Sequence, residues 1–250
     1  MSTTLAFIVD DSPVNVTIAS VLLKRLGWKT EEFSSAIDML ARLESAQPGI
    51  ILLDISMPDM GGEDACRIIR QRAEFKDTRI VAYTAHALEG DHQRYLEGGF
   101  NDILIKPVSL AAIEARIGPP TPRIDSSAMA YDKPAHFDPE PLLDDLRGNA
   151  GVLASILAVY GPWHADTVSR LRASAAGTDS DATRRLAHTI CGALSQFHAR
   201  PAVALGRALE SHCRDNPAGA ARTAELIDTL IIELEALKSE IEAYVEHHKT

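Results

Sequence analysis

Asp10-Asp11, Asp54, Thr84 and Lys106 each stand directly after a short apolar run: Leu5-Ala6-Phe7-Ile8-Val9, Ile50-Ile51-Leu52-Leu53, Ile80-Val81-Ala82-Tyr83 and Ile103-Leu104-Ile105. Continuous runs of this kind suit strands buried on both faces of a parallel sheet, and ligands bind at the carboxyl ends of such strands. Three carboxylates gathered there repel one another, and a hard divalent cation with oxygen ligands, such as Mg²⁺ with retained waters, relieves the repulsion. A hydroxyl (Thr84) and an ammonium (Lys106) added to the cluster suit a phosphoryl group with three charged oxygens. One aspartate after a strand merely caps the next helix; the five groups together do not reduce to capping.

The elements that must carry these groups alternate along the first half of the chain. The strand-like runs begin near Leu5, Lys29, Ile50, Arg79 and Asp102, and each is followed by a helix-like segment. Gly27 stops the first helix, and Ala87 to Glu97 forms the fourth. Five βα units predict a doubly wound five-stranded parallel sheet over residues 1–117. In the order 2-1-3-4-5, the first and third strands are neighbours, which brings Asp10, Asp11 and Asp54 together. Residues 118–137, opening with Gly118-Pro119-Pro120-Thr121-Pro122, read as a Pro-rich linker. Residues 138–250 show only helical periods and predict an all-α antiparallel helical bundle. Its first long helix runs from Val152 past Pro162 with a kink there. Asp179 or Ser180 caps another that reaches about Ala199, Pro201 opens the next, and a final one carries Leu226 to Ile241.

The totals exclude several classes. A net charge of −10 leaves no basic face for nucleic acid. No apolar stretch approaches the roughly 20 residues needed to span a bilayer, and no secretory h-region precedes Asp10, so a cytoplasmic protein is expected. Cys66, Cys191 and Cys213 are widely spaced, with neither a CxxC pair nor a disulfide framework.

Residues 1–117 resemble a response-regulator receiver domain. The motifs are Asp10-Asp11, Asp54 followed by Met57-Pro58-Asp59-Met60-Gly61-Gly62, Tyr83-Thr84-Ala85, and Lys106-Pro107. The resemblance implies that Asp54 accepts the phosphoryl group. Asp11, Asp54 and the Ser56 backbone carbonyl would bind Mg²⁺ directly, and Asp10 through water. Thr84 and Lys106 would grip the phosphoryl oxygens, and Lys106-Pro107 would be a cis peptide. Two departures stand out. Ile103 occupies a position that is often a switching aromatic, with Tyr83 as a substitute. Ser56 and His86 lie where the family tunes the lifetime of the acyl phosphate, so an altered dephosphorylation rate is expected.

His188 lies in Arg184-Arg185-Leu186-Ala187-His188-Thr189-Ile190-Cys191-Gly192. At about 100° per residue it falls roughly 160–200° from Leu186, Ile190 and Phe197, which predicts a solvent-facing imidazole. Arg184, Arg185, Cys191, Gly192 and Ser195 share that face, and the two arginines are candidates to screen a phosphate. The segment, with the bundle around it, resembles the histidine-containing phosphotransfer domain. That implies that His188 carries a phosphoryl group on a ring nitrogen. Cys191 stands where the family usually has a lysine.

Together these features predict a two-component phosphorelay intermediate. Asp54 would take a phosphoryl group from a sensor or hybrid histidine kinase, and His188 would exchange one with a receiver-domain protein. No ATP-binding kinase domain is expected in the chain. The alternative is a phosphorylation-switched interaction module, with the bundle as a docking platform impaired in transfer by Cys191. A phosphatase with an aspartate nucleophile would need Asp-x-Asp after the first strand, which Asp10-Asp11-Ser12 does not supply.

Overall fold

Ile50 to Leu53 are fully shielded from solvent and form most of β3 (Ile50–Asp54). Burying each of these aliphatic side chains contributes about 2 kcal/mol, which is why the run takes a central position. The computed structural model describes residues 5–85, 91–117, 135–146, 148–176, 179–216 and 218–247. The chain divides into two units, Met1–Arg123 and Ile124–Thr250.

In the first unit β3 lies between β1 (Leu5–Val9) and β4 (Arg79–Thr84), with β2 (Lys29–Phe33) and β5 (Asp102–Ile105) at the edges. All pairings are parallel and the order is β2-β1-β3-β4-β5, as the sequence predicts. Val9 pairs with Leu53, so Asp10 and Asp54 leave adjacent strands side by side. The edge strand β2 is rich in charge, and Glu31 receives two hydrogen bonds from Arg42, which suits an edge exposed to water. Helices α1 (Pro13–Arg25), α2 (Ala36–Arg42), α3 (Gly62–Arg70), α4 (Asp91–Glu97) and α5 (Leu110–Ile117) connect and flank the strands. A short 3₁₀ turn at Ala73–Phe75 has no counterpart in the sequence reading. The expected start of the fourth helix, at Ala87, lies outside the described residues.

The second unit contains α6 (Glu140–Asp145), α7 (Ala150–Leu157), α8 (Tyr160–Ala176), α9 (Ser180–Gln196), α10 (Arg200–Asp215) and α11 (Ala220–His247). Helices α8, α9, α10 and α11 pack in a closed ring, each against two neighbours. Leu226, Ile227, Leu230, Leu234, Leu237 and Ile241 of α11 supply a continuous buried stripe at three- and four-residue spacing. The kinked helix expected through Pro162 is two helices. Proline has no N–H, and its ring clashes with the carbonyl four residues back, so the chain breaks at Ala158-Val159 and Pro162 sits in the first turn of α8.

Most of the expected linker, residues 118–134, lies outside the described residues, but its last residues belong to the bundle. The Ala135 and His136 amides donate to the two oxygens of Glu240 at 2.9 and 2.8 Å, and His136 Nδ1 lies 2.7 Å from Glu233. Phe137 is buried edge-on against Tyr244.

Candidate functional site

In the first unit, carboxylate oxygens of Asp10, Asp11 and Asp54 lie within 4.8 Å of one another. Oxygens sharing one Mg²⁺ at about 2.1 Å stand about 3–4.2 Å apart, so the cluster is of the right size for that ion. Both oxygens of Asp10 are engaged. Its Oδ1 accepts from the Ser12 amide at 2.9 Å and Asn15 Nδ2 at 3.0 Å, and its Oδ2 accepts from Lys106 Nζ at 2.6 Å.

Lys106 Nζ also stands 3.2 Å from Asp54 Oδ1 and 4.4 Å from the centre of the Tyr83 ring. Burial pushes the Asp10 carboxyl up to about 7; Lys106 opposes the shift, while Asp54 and Asp11 add to it. Burial also works against the charge on Lys106, but Asp10 and Asp54 outweigh it and hold the ammonium above its ordinary pKa. Fully ionised, the three carboxylates and the ammonium would carry two negative charges, which a divalent cation would cancel. The chemistry of the donor set therefore fits Mg²⁺.

The loop after β3 turns tightly beside this corner. Asp59 adopts φ +65°, and the Met60 amide donates to Pro58 O at 2.8 Å, forming a γ-turn. A Cβ on Gly62 would lie 2.2 Å from the backbone oxygen of Asp54, so only glycine permits this path. Thr84 closes β4 with little exposure, and Ser56 is exposed beside Asp54. Ile103, in the position expected of a switching aromatic, is buried in the sheet, and Tyr83 is the aromatic that touches Lys106. His86 lies outside the described residues. Lys106-Pro107 is cis, as expected.

The second unit positions His188 on α9, whose first turn is capped by Asp179 through the Ala182 amide at 2.9 Å. Its Nδ1 lies 3.0 Å from Glu210 Oε1 on α10, and the two side chains are only 16% and 15% exposed. The helical period predicts a solvent-facing imidazole; instead it is mostly covered, against Glu210. Helix α9 has a second buried face, made of Ala187, Cys191 and Leu194, because α10 packs against it. Cys191 and Gly192 are accordingly buried, not exposed neighbours of His188. The helices approach closely where Gly206 faces Cys191: a Cβ there would lie 2.6 Å from the sulfur. The two contacts, His188 with Glu210 and Cys191 with Gly206, show that α9 and α10 run antiparallel. Burial pushes the Cys191 thiol up to about 12, Glu210 adds to the shift and Arg207 opposes it, so the thiol is neutral.

Arg184 and Arg185 both bind Asp181, Arg184 at 2.9 Å. The structure thus ties the two proposed phosphate-screening arginines to a carboxylate at the start of α9. Glu210 is the functional candidate that the sequence reading missed. Its one signal was Gly206, a mid-helix glycine that marks a close helix approach.

The model of the response regulator receiver domain matches residues 6–118, and that of the Hpt domain matches residues 155–243. Over 100 residues the chain is 36% identical to the signal transduction histidine-protein kinase BarA of Escherichia coli (strain K12), covering 40% of this chain and 11% of BarA. Over 235 residues it is 30% identical to the aerobic respiration control sensor protein ArcB of the same organism, covering 89% of this chain and 29% of ArcB. It is also 28% identical to the polar-differentiation response regulator DivK of Brucella ovis, over 41% of this chain and 84% of DivK. The chain therefore spans less than a third of the length of the two sensor proteins.

Proposed function

We propose that this chain, a response regulator receiver domain joined to an Hpt domain, is a two-component phosphorelay intermediate with stations at Asp54 and His188. The observation that carries the reading is that one chain holds both an aspartate cluster paired with a buried lysine and a histidine whose Nδ1 is held by a carboxylate. The proposed domains are residues 1–117 and 138–250, joined by 118–137.

At the first station, an Asp54 oxygen attacks the phosphorus of a phosphohistidine on a sensor or hybrid kinase. The P–N bond breaks, its electron pair returns to the imidazole, and an acyl phosphate forms. Bound Mg²⁺ would neutralise the gathering negative charge, held by Asp11, Asp54 and the Ser56 carbonyl, and by Asp10 through water. Lys106 already touches Asp54, and after transfer it meets a phosphoryl oxygen instead, with Thr84 beside it at the end of β4.

At the second station, with Glu210 acting as a carboxylate acceptor, His188 donates from Nδ1 and the ring lone pair lies on Nε2. Nε2 attacks the acyl phosphate of a receiver-domain partner, the P–O bond breaks, and the carboxylate leaves with its electron pair. The phosphorylated ring keeps its Nδ1 proton and its positive charge, which Glu210 balances. This arrangement favours transfer over a docking platform that has lost transfer. The chain is read as a cytoplasmic phosphotransfer protein; among the described residues no helix is long and apolar enough to cross a membrane.

The test is labelling of the full chain with phosphoramidate, with and without Mg²⁺. The expected label has two parts, one base-labile and lost with EDTA, the other acid-labile, base-stable and indifferent to EDTA. A single class of label under all conditions would contradict two stations.

A further inference from the structure

We propose that Arg207 supplies the phosphoryl-binding cation of the His188 station, from the helix opposite; this rests on the reading of His188 as a phosphoryl carrier. His188 and Cys191 are three apart on α9, and Arg207 and Glu210 are three apart on α10, so each pair forms one patch of its helix. The two patches face each other. Glu210 touches the imidazole at 3.0 Å, Gly206 packs on the Cys191 sulfur, and the charges of both Arg207 and Glu210 act on that sulfur. Cys191 is buried and neutral and offers a phosphate nothing. Arg184 and Arg185 are both engaged with Asp181. Arg207 is exposed, and among the described residues it has no carboxylate partner.

A phosphoryl group on His188 would also stand near the Glu210 carboxylate, which repels it. A guanidinium one helical turn from Glu210 offsets that repulsion, and its planar fork matches two phosphoryl oxygens. Helix α10 therefore has two tasks in one turn: Glu210 holds the ring, and Arg207 receives the group that the ring takes up.

The experiment uses the full chain with Asp54→Asn, so that the label reports His188 alone, and phosphoramidate as the donor. Nε2 attacks phosphorus, the P–N bond of phosphoramidate breaks, and ammonia leaves with the electron pair. Arg207→Ala should slow formation of the acid-labile, base-stable label about tenfold or more. Arg207→Lys should restore most of the rate, and the deficit of the alanine variant should narrow as ionic strength rises. Arg214→Ala, the same loss of charge about two turns further along α10, should keep the rate. An unchanged rate in Arg207→Ala overturns the proposal, as does a lysine variant as slow as the alanine one. No label even with Arg207 intact overturns the reading of His188 itself.

Discussion

His136 shows how one side chain reports on the way the chain enters its helical unit. The hydrogen bond to Glu233 raises its pKa, burial opposes this, and Glu233 and Glu240 add their charge. A histidine with a raised folded-state pKa stabilises the fold fully below its unfolded value, about 6.5, and that contribution is lost as pH rises through the folded value. Denaturation of wild type and His136→Gln should therefore show a larger difference in bundle stability at about pH 6 than at about pH 9. Equal differences at both pH values would mean that the charged pair contributes nothing. Residue types are the most legible part of this protein: type and position at strand ends single out Asp10, Asp11, Asp54 and Lys106, and His188 stands out only through the resemblance of its segment to the phosphotransfer domain. Glu210 and Arg207 do not stand out, because a partner across a helix crossing depends on how two helices slide along each other. That register is set by Gly206 and Cys191 over a distance that no periodicity within one helix encodes. The same limit explains the misjudged exposure of His188: the wheel of α9 shows where Leu186 and Ile190 point, but not that Ala187 and Cys191 are small enough to admit a second helix.

At the level of elements, the proposed second station depends on the α9–α10 crossing. Adding one methyl at Gly206 places a carbon 2.6 Å from the Cys191 sulfur and forces the helices apart. Gly206→Ala should cost about 1–3 kcal/mol of bundle stability and reduce labelling of His188, since Glu210 moves with α10. Cys191→Ala removes the obstructing atom, so the double variant should recover both stability and labelling in a double-mutant cycle. Additive losses would show that the crossing is not what couples Gly206 to His188. The strands are legible because apolar runs ending in a polar group have few alternatives in a parallel sheet. Helix ends are legible where a cap is present, as at Asp179. At Pro162 they are hidden, because the apolar period of Val152, Ile156 and Tyr160 continues through a backbone break.

The whole molecule comprises two units, each with its own chemistry. The first gathers three carboxylates around a lysine; the second pairs an imidazole with a carboxylate. Sheet order and the helical character of the second half were both available from the sequence, since motif order fixes the first and the absence of strand periods indicates the second. The central claim is that phosphate enters this chain at Asp54 and His188 and nowhere else. Its most direct test is phosphoramidate labelling, in the presence of Mg²⁺, of four full-length forms: wild type, Asp54→Asn, His188→Gln and the double variant. The account predicts only acid-labile, base-stable label in Asp54→Asn, only base-labile label in His188→Gln, and none in the double variant. Label persisting in the double variant, or either single variant retaining both classes, would contradict it.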